Sequence, residues 1–164
     1  MIVYHGTTLE IRYPQILNQE LGRDFGYAFY TTDIKEQAER WAVRRAKVLS
    51  KMTQIKQPPI VNVYEWKQTD ALNVKSFTGA SLEWLDMVVL CRSQADYQHG
   101  YDIVIGKIAE DNVGETVSFV LQGIMRKEDA VERLKFEKIN NQIAFCSDKA
   151  LKTLSFQEYY IVGN

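Results

Sequence analysis

The amino-acid sequence predicts an α+β fold built around one hydrophobic core. Short β-branched and aromatic runs alternate with amphipathic stretches of helical period, without the regular strand–helix–strand rhythm of a doubly wound parallel sheet. Apolar residues make up 46% of the 164 and charged residues 25%, a balance that buries a core and excludes disordered, collagen-like and low-complexity chains. Neither a dinucleotide fingerprint nor a P-loop surrounds Gly22 and Gly26, so a bound nucleotide would need another cradle. At this length one domain, residues 1–164, is expected.

Along the chain, residues 2–4 read as a strand that ends in the polar turn His5-Gly6-Thr7-Thr8. Gly22 to Gly26 interrupts the chain, and the aromatic run 27–31 predicts a second strand. Asp33 with Glu36 three positions on has the pattern of a capping box, and Ile34, Ala38, Trp41, Ala42, Arg45, Val48 and Leu49 follow at helical spacing. Pro58-Pro59 ends that helix before a β-branched and aromatic strand over 60–66, with a short strand expected at 71–74. A helix over 81–92 turns Trp84, Leu85, Val88 and Cys91 inward, and 101–108 alternates as a strand. Two helical segments broken near Gly123 are expected between 115 and 135, then a strand at 142–146, a helix at 148–154 and a closing strand at 159–162.

Charge and cysteine usage narrow the function classes. Twenty Lys and Arg face 21 Asp and Glu, so no global field draws in nucleic acid or an anionic membrane. Seven basic residues lie between Lys35 and Lys56 against Glu36 and Glu39; they read first as a solvated helix face, with attraction for a pyrophosphate or nucleic acid as the alternative. Cys91 and Cys146 are expected to be buried thiols rather than a disulfide, and with only two histidines no metal-ligand spacing appears. The first residues lack a signal peptide and no apolar run spans a bilayer, so a cytoplasmic protein without a membrane partner is expected. His99 reads as an exposed loop residue and Asp102 as a structural group bonding a nearby turn.

Three stretches taken together carry a family resemblance: Tyr4-His5-Gly6-Thr7; Asp24-Phe25-Gly26-x-Ala28-Phe29-Tyr30-Thr31-Thr32; and Ala38-x-x-Trp41-Ala42. They resemble the NAD-binding core of the ADP-ribosyltransferase superfamily, in its poly(ADP-ribose) polymerase-like branch. More closely, the chain resembles a bacterial group catalogued as domain of unknown function 3990 and placed in that superfamily. The likeness continues through Trp84-Leu85, Arg92, Tyr101-Asp102-Ile103-Val104-x-Gly106, Gln142-Ile143-x-Phe145 and Leu154-x-Phe156.

The resemblance implies a split β-sheet core with flanking helices and, as function, NAD-dependent mono-ADP-ribosyl transfer to a macromolecular acceptor, protein or nucleic acid. It points to a toxin or anti-phage effector restrained by a small neutralising protein. It assigns NAD as co-substrate, His5 to the adenosine ribose hydroxyls, Gly6 backbone groups to the nicotinamide amide, Thr7 to a ribose, and Tyr30 to stacking on nicotinamide, with Trp41 as a second aromatic wall. These residue types suit those tasks: glycine admits close approach, histidine and threonine pair with hydroxyls, and aromatic faces attract a flat cationic ring. In isolation the same residues read as turn chemistry for His5 to Thr8 and as core packing for Trp41.

Gln142 stands where the resembled enzymes keep a glutamate, Ala28 where many have glycine, and Ala38 where many have serine. Glutamine pairs with ribose hydroxyls but carries no charge with which to stabilise a developing cation. Two further readings therefore stand beside the transferase: an NAD-binding or protein-interaction module without turnover, and an enzyme of related fold acting on RNA. For Gln142 itself the bland alternative is an exposed strand-edge residue.

Overall fold

The computed structural model describes residues 1–16, 23–107, 111–135 and 141–163. In chain order its elements are β1 (Ile2–Thr7), β2 (Phe29–Thr31), α1 (Lys35–Thr53), β3 (Ile60–Trp66), β4 (Val74–Ser76), α2 (Leu82–Ser93), β5 (Ile103–Lys107), α3 (Asp111–Leu121), α4 (Lys127–Leu134), β6 (Asn141–Phe145), α5 (Asp148–Leu151) and β7 (Leu154–Ile161). The strands form two open sheets, one of order β1-β3-β7 and one of order β2-β6-β5-β4. All pairings are antiparallel except that of β4 with β5. The class is α+β, as the irregular mixture of periods predicts.

Alternation along the strands builds the layers. One face of the first sheet sets Tyr4 and Val61 against Ala38 and Ala42 of α1. Its other face sets Val3, Tyr64 and Trp66 against Phe29, Ile103, Ile143 and Phe145 of the second sheet. The far side of the second sheet, with Tyr30, Val104 and Ala144, packs on Trp84, Leu85 and Val88 of α2 and on Val113, Val117, Ala130 and Leu134 of α3 and α4. The central strands are therefore covered on both faces, which explains the near-continuous burial along β3, while the edge strands β4 and β7 stay largely exposed or half-buried.

Several local expectations give way to tertiary contacts. His5, Gly6 and Thr7 lie inside β1 rather than in a turn beyond it, because β3 pairs with the strand from Ile2 opposite Glu65 to Thr7 opposite Ile60. No capping box opens α1: Ile34 holds the N-cap position with no side-chain cap bond, and the Thr32 hydroxyl accepts from Ile34 N at 3.1 Å instead. The buried stripe of α1 is Gln37, Ala38, Ala42 and Ala46, whereas Arg45 faces solvent and Val48 is 47% exposed. Small residues are required there because the helix lies on Gly6, where a Cβ would stand 2.1 Å from Ala38 O and 2.8 Å from Ala42 N.

Other boundaries move by a few residues. The second strand is confined to Phe29–Thr31, β4 falls at Val74–Ser76, α3 starts at Asp111, α5 is a single turn and β7 begins at Leu154. The helix expected at 81–92 is α2, with Ser81 accepting from Trp84 N at 3.1 Å as its cap and the four expected residues buried. Gly123 breaks α3 from α4 at a φ of +73°. Cys91 and Cys146 are free thiols, each pushed up to about 12 by burial. Gly22, Ile108 and Asn140 lie outside the described residues.

Candidate functional site

β1 and β2 touch at one bridge and then part. Tyr4 N donates to Thr32 O at 2.8 Å and Thr32 N to Tyr4 O at 2.9 Å. Continuing that antiparallel register sets Gly6 opposite Tyr30, but the ladder does not continue. The two sheets diverge there, and His5 Nδ1 bonds Tyr30 O at 2.7 Å in its place. Because Tyr4 spends its backbone groups on β2, Gly6, two residues on, presents its N–H and C=O to the same edge, away from β3. The opened edge thus offers a paired donor and acceptor beside an imidazole.

His5 is held rigidly. Its ring stacks on Phe29 with centroids 4.4 Å apart. A carbonyl oxygen only accepts, so Nδ1 carries the hydrogen and Nε2 is the acceptor of the neutral ring. Burial lowers the imidazole pKa to about 4, with Arg23 and Arg45 pushing the same way and the Tyr30 carbonyl opposing. The ring is accordingly neutral at physiological pH, an acceptor suited to a hydroxyl.

Side chains alternate along β2, so Phe29 meets His5 while Tyr30 projects to the opposite face of the second sheet. Tyr30 is 6% exposed. Its hydroxyl donates to Gly26 O at 2.5 Å and accepts from Phe25 N at 3.1 Å, and the Arg23 guanidinium lies over its ring at 4.4 Å. Burial raises its pKa well above the ordinary phenol value. In this arrangement one face of the ring holds a planar cation of the protein's own.

Gln142 shares that face, with Ala144 of its strand opposite Tyr30. It is 5% exposed on a strand flanked by β2 and β5, which overturns the exposed strand-edge reading. Its Nε2 donates to Asp24 Oδ2 at 3.0 Å and to Lys107 O at 3.3 Å. Asp24, itself 7% exposed, accepts on Oδ1 from Arg92 Nε at 2.9 Å and from Arg92 Nη2. The structure therefore ties Gln142 to a part-buried Asp24–Arg92 ion pair, next in sequence to the Phe25–Gly26 segment that the Tyr30 hydroxyl holds.

The remaining expected residues are more dispersed. Thr7 closes β1, half-buried, on the same face of the strand as His5. Trp41 lies on α1 among the turns that carry Ala38 and Ala42, half-buried and outside the hydrophobic clusters of the described residues. His99 is not an exposed loop residue: its Nε2 bonds Phe25 O at 3.0 Å, and Tyr101 N donates to its Nδ1 at 3.0 Å. Asp102 accepts from Asn73 N at 3.0 Å and from Ser147 Oγ at 2.5 Å, the structural role expected of it. The seven basic residues between Lys35 and Lys56 all face solvent.

Asp24 and Arg92 are the site residues to which sequence reasoning gave no role. They lie 68 positions apart, and no local period pairs a loop carboxylate with a helix guanidinium at that distance. The available signal was that both fall within the stretches carrying the family resemblance. Among the described residues no three His, Cys, Asp or Glu side chains group to hold a metal ion, and no helix is long and apolar enough to cross a membrane.

Fold and site define an α+β protein whose two open sheets part beside a histidine-glycine edge, with a part-buried carboxylate–guanidinium–amide cluster on the far side of the second sheet. The chain belongs to the family described as "Protein of unknown function (DUF3990)", whose model matches residues 1–156. No curated protein matches it.

Proposed function

We propose that this protein binds NAD where its sheets part and transfers single ADP-ribose units to a macromolecular acceptor. The observation that carries the reading is the edge at Gly6. A carboxamide needs one donor and one acceptor side by side, and the Gly6 N–H and C=O, turned from β3 toward the split, supply that pair. The neutral His5 ring, with Nε2 as acceptor, suits a ribose hydroxyl beside it. Stacking of nicotinamide on Tyr30 requires the Arg23 guanidinium to yield the ring face it covers, one cation replacing another. The family resemblance in the sequence agrees with these roles, and with an ADP-ribosyltransferase-like split sheet, but it does not name the acceptor.

A specific observation favours a second reading, binding without turnover. Gln142 brings no charge to a developing ribosyl cation, and the carboxylate bonded to it, that of Asp24, is already paired with Arg92. Incubating the protein with NAD labelled in its adenylate and a cell lysate separates the two. Label on protein or nucleic acid supports transfer, whereas binding without transfer or hydrolysis supports the module. For the shared site, His5→Ala should weaken calorimetric NAD affinity by about tenfold through lost ribose bonds. Unchanged affinity in a folded His5→Ala variant would exclude this edge as the NAD site.

A further inference from the structure

Gln142 lacks the charge of a glutamate, yet its surroundings restrict which atom its amide can offer. Both oxygens around Nε2, the Asp24 carboxylate at 3.0 Å and the Lys107 carbonyl at 3.3 Å, accept hydrogen bonds and cannot donate. Turning the amide over would set Oε1 against two accepting oxygens inside a 5% exposed site, and Asp24 and the Lys107 carbonyl, which also accepts from Trp84 Nε1 at 3.2 Å, would each lose the Gln142 donor. Asp24 is paired and held in place by Arg92 Nε at 2.9 Å, with Nη2 on the same oxygen. With both Nε2 hydrogens engaged, Oε1 is the atom left to a ligand, and it accepts from no described residue. The amide is thereby presented as a glutamate would be, by an accepting oxygen.

We propose that Asp24 is a positioning residue that fixes Gln142 as an acceptor for a hydroxyl of the NAD nicotinamide ribose. The proposal rests on the NAD reading above and goes beyond it by assigning roles to Asp24 and Arg92. It also changes what Gln142→Glu does: beside an intact Asp24 the new carboxylate meets a like charge, and it becomes productive only when position 24 carries no charge.

The experiment is calorimetric titration of the folded chain and its variants with NAD and with an analogue lacking the 2'-hydroxyl of the nicotinamide ribose. The readout is the ratio of the two affinities, which a general loss of stability does not move. The wild-type chain should prefer NAD by about tenfold. Asp24→Asn should lose most of that preference, because Arg92, which only donates, claims the asparagine oxygen and turns the amide nitrogen toward Gln142, where it donates to Oε1 and reverses the glutamine amide. The double variant that combines Asp24→Asn with Gln142→Glu should regain it, since the amide introduced at position 24 donates to one glutamate oxygen and leaves the other to accept.

A wild-type chain that does not bind NAD overturns the NAD reading and this proposal with it. Binding without preference for the hydroxyl overturns the proposal alone, as does a preference that Gln142→Ala abolishes and Asp24→Asn leaves intact. If Asp24→Asn does not fold, the side-chain amide protons of wild-type Gln142, identified by their loss in Gln142→Ala, decide the matter. They should exchange slowly and stay protected when NAD saturates the site. Exchange as fast as that of exposed glutamines, or protection lost on binding, overturns the proposal.

Discussion

Tyr30 illustrates how a residue chosen for its ring is held by its hydroxyl. The oxygen closes the Phe25–Gly26 segment on itself, donating to one backbone carbonyl and accepting from one backbone N–H. Tyr30→Phe keeps the ring but leaves both groups without that partner in a site only 6% exposed. The expected cost is about 1–3 kcal/mol of folding stability, measured by urea denaturation. A variant as stable as the wild-type chain would show that the hydroxyl contributes nothing to holding this loop. His5 follows the same logic, since its role as acceptor depends on which nitrogen the Tyr30 carbonyl has claimed.

At the scale of elements, β1 and α1 are fitted to each other at Gly6. The sequence reading explained this glycine by ligand approach; the structure adds a packing reason, because the helix backbone occupies the place of a side chain. Gly6→Ala should destabilise the fold by about 1–3 kcal/mol or more, the usual cost of forcing extra volume between packed elements, and chemical denaturation measures it. A fully stable Gly6→Ala variant would mean that α1 moves aside freely. Helix starts give a paired test. Ser81 caps α2 through its hydroxyl, so Ser81→Ala should cost about 1 kcal/mol. Asp33 makes no cap to α1, so Asp33→Ala should fall within about 0.5 kcal/mol of wild type. Equal losses in the two thermal melts would restore the capping box that the sequence pattern suggested.

For the whole molecule, the two half-buried imidazoles make stability depend on acid. An unfolded histidine takes up its proton near pH 6.5, whereas folded His5 does so only near 4, and burial also lowers the pKa of His99. Between those values the unfolded chain binds more protons, so stability is complete above pH 6.5 and falls as the pH drops toward 4. The His5 contribution is no more than about 3 kcal/mol. Comparing denaturation of wild type and His5→Ala at about pH 7, 5.5 and 4 isolates it from the carboxylates. Parallel losses in the two proteins would show that His5 does not carry the effect.

Local signals along the chain sufficed for the α+β class, the strand at Ile60–Trp66, the inward face of α2 and the neighbourhood of His5, Tyr30 and Gln142. The first three rest on the period of apolar side chains, and the last on the short motif runs that carry the family resemblance. Packing in three dimensions decided that His5-Gly6-Thr7 is strand, that Gly6 must lie under α1, and that Asp33 caps nothing. It also joined Asp24 to Arg92 across 68 positions and to Gln142 across 118. Local patterns report which face of an element is buried, whereas a buried charge finds its partner through the order in which the sheets assemble. That order is set by strand pairings distant in sequence, and no window along the chain contains them.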